Sequence, residues 1–118
     1  MRSIEPHQAA IAVDLGATNM RAGVVREDGQ ILSLVTAPTP PHPEDAGVII
    51  RSLDSLIARA VSATGMPPVA GIGISTAGPV DLQKGAVVNP PNIPLPFIPL
   101  AEPLGERFGL RRHQRIGG

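Results

Sequence analysis

The chain has 118 residues, 42% of them hydrophobic, and a formal net charge of zero. That bounds it to one domain and argues against a general affinity for nucleic acid or membrane surfaces. No apolar run approaches the roughly 20 residues needed to cross a bilayer, and the absence of cysteine excludes disulfides and thiolate zinc sites. Met1-Arg2-Ser3-Ile4-Glu5-Pro6-His7 lacks the apolar stretch of a secretory signal, from which a cytoplasmic address is expected. Phe97 and Phe108 are the two aromatics, so a core must be built from Val, Ile, Leu and Ala.

Residues 1–8 are expected to be a disordered N-terminus. Residues 9–13 are short, apolar and bounded by Asp14 and Gly16, as befits a buried strand feeding a tight turn. A second strand at 20–25 and a third at 31–35 flank Asp28-Gly29, a strong hairpin signal, so three antiparallel strands are predicted. The stretch 37–43 holds four prolines and reads as an extended connector leaving the sheet. A helix follows, started by Glu44 and Asp45. Its apolar face is Ile49, Leu53, Leu56, Ile57, Ala60 and Val61, and Gly65 and Pro67 stop it. Residues 69–75 read as a buried parallel strand, reached by a right-handed crossover and ending in the turn Thr76-Ala77-Gly78-Pro79. Lys84-Gly85 then tips a small hairpin carrying 86–88, the stretch 90–99 is too rich in proline for regular structure, and a short helix spans 100–108 with Gly109 as its stop.

Several chemistries are missing. There is no Walker A loop, and Gly71-Ile72-Gly73-Ile74-Ser75-Thr76 puts threonine where a dinucleotide fingerprint needs its third glycine. His7, His42 and His113 have no metal-ligand spacing and read as solvated surface residues. Asp14-Leu15-Gly16-Ala17-Thr18-Asn19 is different. A carboxylate at a strand end can hold hydrated magnesium. A glycine and a small residue let backbone N–H groups approach a polyphosphate, to which the Thr18 hydroxyl and Asn19 amide can also donate. The same residues also suit a plain hairpin in which Asp14 makes an Asx turn.

The second motif adds to the first. Asp14-Leu15-Gly16-Ala17-Thr18-Asn19, then Gly23, then a helix, then Gly73-Ile74-Ser75-Thr76-Ala77-Gly78-Pro79-Val80-Asp81, then Asn92-Ile93-Pro94, resembles the N-terminal domain of the ROK family over about residues 9–110. These are bacterial sugar kinases and related repressors of the actin-like ATPase superfamily. The resemblance implies an α/β, ribonuclease H-like domain over 9–110, incomplete, in which three antiparallel strands precede a helix and a parallel strand. It implies ATP and Mg2+ as cofactors, with Asp14, Gly16, Ala17, Thr18 and Asn19 in the phosphate loop and Asp14 toward the metal. Ala17 stands where a second glycine is commoner, and the loop survives the methyl if that position needs no positive φ. Ala77, Gly78 and Asn92 are assigned to the sugar side, where a turn without ligand and a solvated loop amide are the alternatives.

In the family, phosphoryl transfer runs from ATP to a sugar hydroxyl whose proton a general-base aspartate takes. That aspartate normally sits in an Asn-Asp-x-Asn segment after a further apolar strand that follows a Gly-Leu like Gly109-Leu110. Here the polar, basic Arg111-Arg112-His113-Gln114-Arg115-Ile116-Gly117-Gly118 follows instead, so 111–118 reads as a non-family tail and the chain as a truncated or frameshifted fragment without kinase turnover. The alternatives are a non-catalytic phosphate- or sugar-binding module or subunit, for which Arg111, Arg112 and Arg115 could form an anion patch, and a regulator of the same family lacking its DNA-binding domain. Expected partners are a small sugar and ATP, with no membrane or nucleic acid. The outer edge of strand 69–75, left without a neighbour, could also support self-association.

Overall fold

The structure, a computed structural model, describes residues 8–65, 69–76, 78–107 and 115–117. The expectations that concern residues 1–7, Pro67, Ala77 and 108–114 lie outside the described residues. In chain order the elements are β1 (Ala9–Leu15), β2 (Asn19–Arg26), β3 (Ile31–Pro38), α1 (Ala46–Ser62), β4 (Val69–Thr76), β5 (Val80–Asp81), β6 (Ala86–Val88), β7 (Phe97–Pro99), α2 (Ala101–Arg107) and β8 (Arg115–Gly117). The main sheet has the order β3-β2-β1-β4-β8 and a small sheet the order β5-β6-β7. β1, β2 and β3 are antiparallel, whereas β4 runs parallel to β1, which requires the crossover that α1 supplies.

Alternation in β1 decides which face is covered. Ala9, Ile11, Val13 and Leu15 are buried while Ala10 and Ala12 are exposed, the period of two expected of a half-buried strand. α1 lies over the buried face with Ile49, Leu53, Leu56, Ile57 and Ala60, the helical stripe read from the sequence. Asp45 caps this helix by accepting from the Val48 N–H at 3.3 Å. The Ser33 hydroxyl, on edge strand β3, donates to the Ala60 carbonyl at 2.7 Å and ties the sheet edge to the last turns of the helix. The largest fully buried side chains are aliphatic or Met20, and Phe97 is 40% exposed, so the core is built without rings among the described residues. No described helix is long and apolar enough to cross a membrane.

Three local expectations are corrected. β3 runs on to Pro38, two residues into the presumed connector, because Pro38 lies at the end of an edge strand where its missing N–H breaks no inner ladder. Phe97–Pro99 is a strand despite its proline: it pairs antiparallel with β6 and lies at the edge of the small sheet, the same exemption. The outer edge of β4 is partly covered, since Arg115–Gly117 pairs parallel with Gly73, Ile74 and Ser75. Side-chain polarity led the reading of that segment, whereas a sheet rung is made by backbone groups that every non-proline residue carries.

Candidate functional site

Both sequence motifs leave the main sheet at the same end. β1 and β4 are parallel neighbours with Leu15 opposite Thr76, so the turn after β1 and the turn after β4 stand side by side beyond the carboxyl ends of two parallel strands. In open α/β sheets that is where ligands bind.

The first turn is a four-residue loop, Gly16 to Asn19, closing the β1–β2 hairpin with Leu15 paired to Met20. The Gly16 N–H donates to the Asn19 carbonyl at 3.0 Å. A Cβ on Gly16 would stand 2.7 Å from that carbonyl oxygen, so the closeness of the turn requires glycine there. Ala17 is absent from the residues with positive φ, and its methyl therefore costs the loop no backbone strain. Thr39, which is buried, supports the loop from behind: its hydroxyl donates to the Gly16 carbonyl at 2.6 Å and its N–H to the Thr18 carbonyl at 2.8 Å. The N–H groups of Ala17 and Thr18, the Thr18 hydroxyl and the Asn19 side-chain amide have no hydrogen-bond partner among the described residues.

Asp14, Gly16, Ala17, Thr18 and Asn19 line one hollow of about 550 Å³ together with Arg21 and Thr36. All five residues expected at the phosphate loop are thus brought together. Arg21 and Thr36 were not anticipated, and nor was Thr39 behind the loop. Arg21 is opposite Asp14 in the β1–β2 register and opposite Thr36 in the β2–β3 register, while Ser75 is opposite Asp14 on β4. A polar row, Thr36, Arg21, Asp14, Ser75, therefore crosses four strands just below the loop. The Arg21 guanidinium holds Asp14 Oδ2 through Nη2 at 2.9 Å and Nε at 3.3 Å. With the two side chains 56% and 39% exposed, water screens this pair and its contribution to stability is within about 1 kcal/mol.

A magnesium ion fits this donor set in one restricted form. No group of three or more metal-ligating side chains occurs among the described residues, and magnesium is commonly held by one or two carboxylates plus substrate phosphates and water. Asp14 can serve as that carboxylate through Oδ1, which has no partner among the described residues, while Arg21 keeps Oδ2.

At the second turn, Gly78 has φ +125°, and a Cβ there would lie 3.1 Å from both Pro90 Cα and Pro91 Cδ. Only glycine accommodates that backbone and that approach together. The turn after β4 is thereby pressed against the segment that carries Asn92, itself exposed with φ 65°. Asparagine tolerates this left-handed backbone better than most residues, which gives its presence there a structural reason as well. Thr76, 1% exposed at the end of β4, has a hydroxyl without a partner among the described residues. Ala77 lies outside the described residues.

The sequence pattern of the ROK family matches residues 10–113. The chain belongs to the ROK family. It is similar to the glucokinase of Streptomyces coelicolor, 37% identical over 100 residues that cover 85% of this chain and 30% of the relative. Among solved structures, it resembles the ROK hexokinase from Thermus thermophilus with a TM-score of 0.77 and 32% identity, over 92% of this chain and 34% of that one. A ROK family glucokinase from Streptomyces griseus, crystallised with glucose and AMPPNP, is matched with a TM-score of 0.74 and 34% identity, over 92% and 31% of the two chains. This ROK chain therefore spans about 30% of the length of the curated relative it matches. The α/β architecture expected of the ROK N-terminal domain, with three antiparallel strands, a helix and a parallel strand, is the one observed.

Proposed function

We propose that this chain carries the phosphate-binding portion of an ATP-dependent sugar kinase, with ATP, Mg2+ and a hexose as the ligands and the cytoplasm as its place of work. The observation that carries the reading is the loop of residues 16–19. It pairs unpartnered N–H and side-chain donors at Ala17, Thr18 and Asn19 with a carboxylate at Asp14 in one hollow. Donors on a small-residue turn suit phosphate oxygens. Bound there, magnesium would offset phosphate charge. The glucose and AMPPNP of the Streptomyces griseus relative support the same pair of ligand classes for this chain.

Within that reading Ala17 and Thr18 donate backbone N–H groups to the polyphosphate, Thr18 and Asn19 add side-chain donors, and Asp14 holds the metal. Gly78 and the segment around Asn92 form the sugar side, brought together by the close approach of the Gly78 turn to Pro90 and Pro91. The proton-abstracting aspartate of the family belongs to an Asn-Asp-x-Asn segment, and this sequence contains none. The 118-residue chain is therefore expected to bind nucleotide without turning over sugar.

Calorimetric titration of the purified chain with ATP and Mg2+ tests this. Asp14→Ala is expected to weaken binding about tenfold or more, on the scale of a lost charge-assisted contact, and glucose is expected to remain unphosphorylated. Absence of binding, or a variant that binds as well as the parent, would refute the phosphate-loop reading.

A further inference from the structure

Thr39 lies in a stretch whose composition suggested nothing but a linker: Pro38-Thr39-Pro40-Pro41. It is nevertheless 3% exposed and makes two hydrogen bonds to a loop more than 20 residues earlier, from its hydroxyl to Gly16 at 2.6 Å and from its N–H to Thr18 at 2.8 Å. We infer that Thr39 is a positioning residue for the phosphate loop, fixing the Gly16 and Thr18 carbonyls to the protein so that the loop's free N–H groups are presented to the polyphosphate. This rests on the phosphate-loop reading above.

The local chemistry explains why threonine can do this here. Prolines on both sides remove the neighbouring N–H groups, so Thr39 carries the one backbone donor between residues 38 and 41. The proline at 40 also restricts Thr39 to extended backbone, and Pro38 is already paired with Asn19 at the end of the β2–β3 ladder. The Thr39 N–H therefore adds one more rung, to Thr18, at little conformational cost. Its hydroxyl reaches the opposite arm of the loop at Gly16.

The result is an unequal distribution of donors and acceptors. The carbonyls of Gly16, Thr18 and Asn19 are all engaged within the protein, two by Thr39 and one by the Gly16 N–H. The N–H groups of Ala17 and Thr18 are not engaged among the described residues. With three of its four carbonyls engaged, all but that of Ala17, and two amide protons left over, such a loop favours an anion over a cation. Without the hydroxyl of Thr39, the Gly16 carbonyl loses its partner and the two arms of the loop are no longer held by one residue.

The test is calorimetric titration of the full chain with inorganic tripolyphosphate, comparing Thr39→Val, which keeps shape and β-branching but removes the donor, with Thr39→Ser, which keeps the donor. Thr39→Val is expected to weaken binding about five- to tenfold, the scale of one hydrogen bond. Thr39→Ser is expected to stay within about twofold of the parent. A purely structural role would lower the melting temperature of Thr39→Val and leave its affinity unchanged. Should Thr39→Val not fold, amide hydrogen exchange in the unmodified chain replaces it: tripolyphosphate is expected to slow exchange at Thr39 as well as at Ala17 and Thr18. A parent that binds while Thr39→Val binds equally well, or slowed exchange at the loop with none at Thr39, overturns the inference and spares the phosphate-loop reading. A parent that does not bind tripolyphosphate overturns both.

Discussion

Gly16 and Ala17 are adjacent loop residues with opposite tolerances, and the difference is steric. A Cβ at Gly16 would lie 2.7 Å from the Asn19 carbonyl oxygen, whereas Ala17 already carries one without positive φ. Gly16→Ala is therefore expected to destabilise the chain by about 1–3 kcal/mol, the usual cost of overpacking, and to weaken nucleotide binding, both readable from thermal melts with and without ATP. An unchanged melting temperature would show that the turn relaxes freely. The loop residues were legible in the sequence because the motif is contiguous and its residue types carry their chemistry. Arg21 was legible in principle. A four-residue loop that pairs Leu15 with Met20 also sets Asp14 opposite Arg21, so the ion pair follows from counting back one rung. Thr39 was not legible, since nothing in a proline-rich run reveals which distant carbonyl its hydroxyl meets.

At the scale of elements, α1 covers the sheet from which the site's loop springs. It buries Leu53 and Leu56 against the face of β1 and β2 that carries Ile11, Leu15, Met20 and Val24, and the loop of residues 16–19 springs from that pair of strands. Leu53→Ala, at a fully buried position, is expected to cost about 2–5 kcal/mol. For a chain whose described core is aliphatic apart from Met20, that is a large part of ordinary domain stability. Chemical denaturation monitored by far-ultraviolet circular dichroism measures it, and a loss below about 1 kcal/mol would mean that the helix is not the sheet's main support. The helix, the three antiparallel strands and β4 were readable because periods of 3.6 and 2 persist over many residues. β7 and β8 were not. Each has three residues, too few for a period, and each is decided by a backbone partner distant in sequence. Proline content and side-chain charge pointed the other way in those segments and were overruled by edge position and backbone pairing.

For the whole molecule, the decisive feature is topological. Parallel pairing of β1 with β4 brings two motifs separated by some 60 residues of sequence to one end of one sheet, one as a donor-rich hairpin loop and the other as a glycine turn pressed on a proline-rich segment. That arrangement, in a ROK chain spanning about 30% of a glucokinase relative, is the basis for reading it as the phosphate-binding portion of a sugar kinase. The most direct test is a nuclear magnetic resonance titration of the isotopically labelled chain with ATP and Mg2+, following every backbone amide. The largest shifts are expected at Gly16, Ala17, Thr18 and Asn19, with the Arg21 Nε–H responding as well and the α1 amides unmoved. Shifts centred elsewhere, or a spectrum unchanged at millimolar nucleotide, would contradict the assignment of this loop to phosphate.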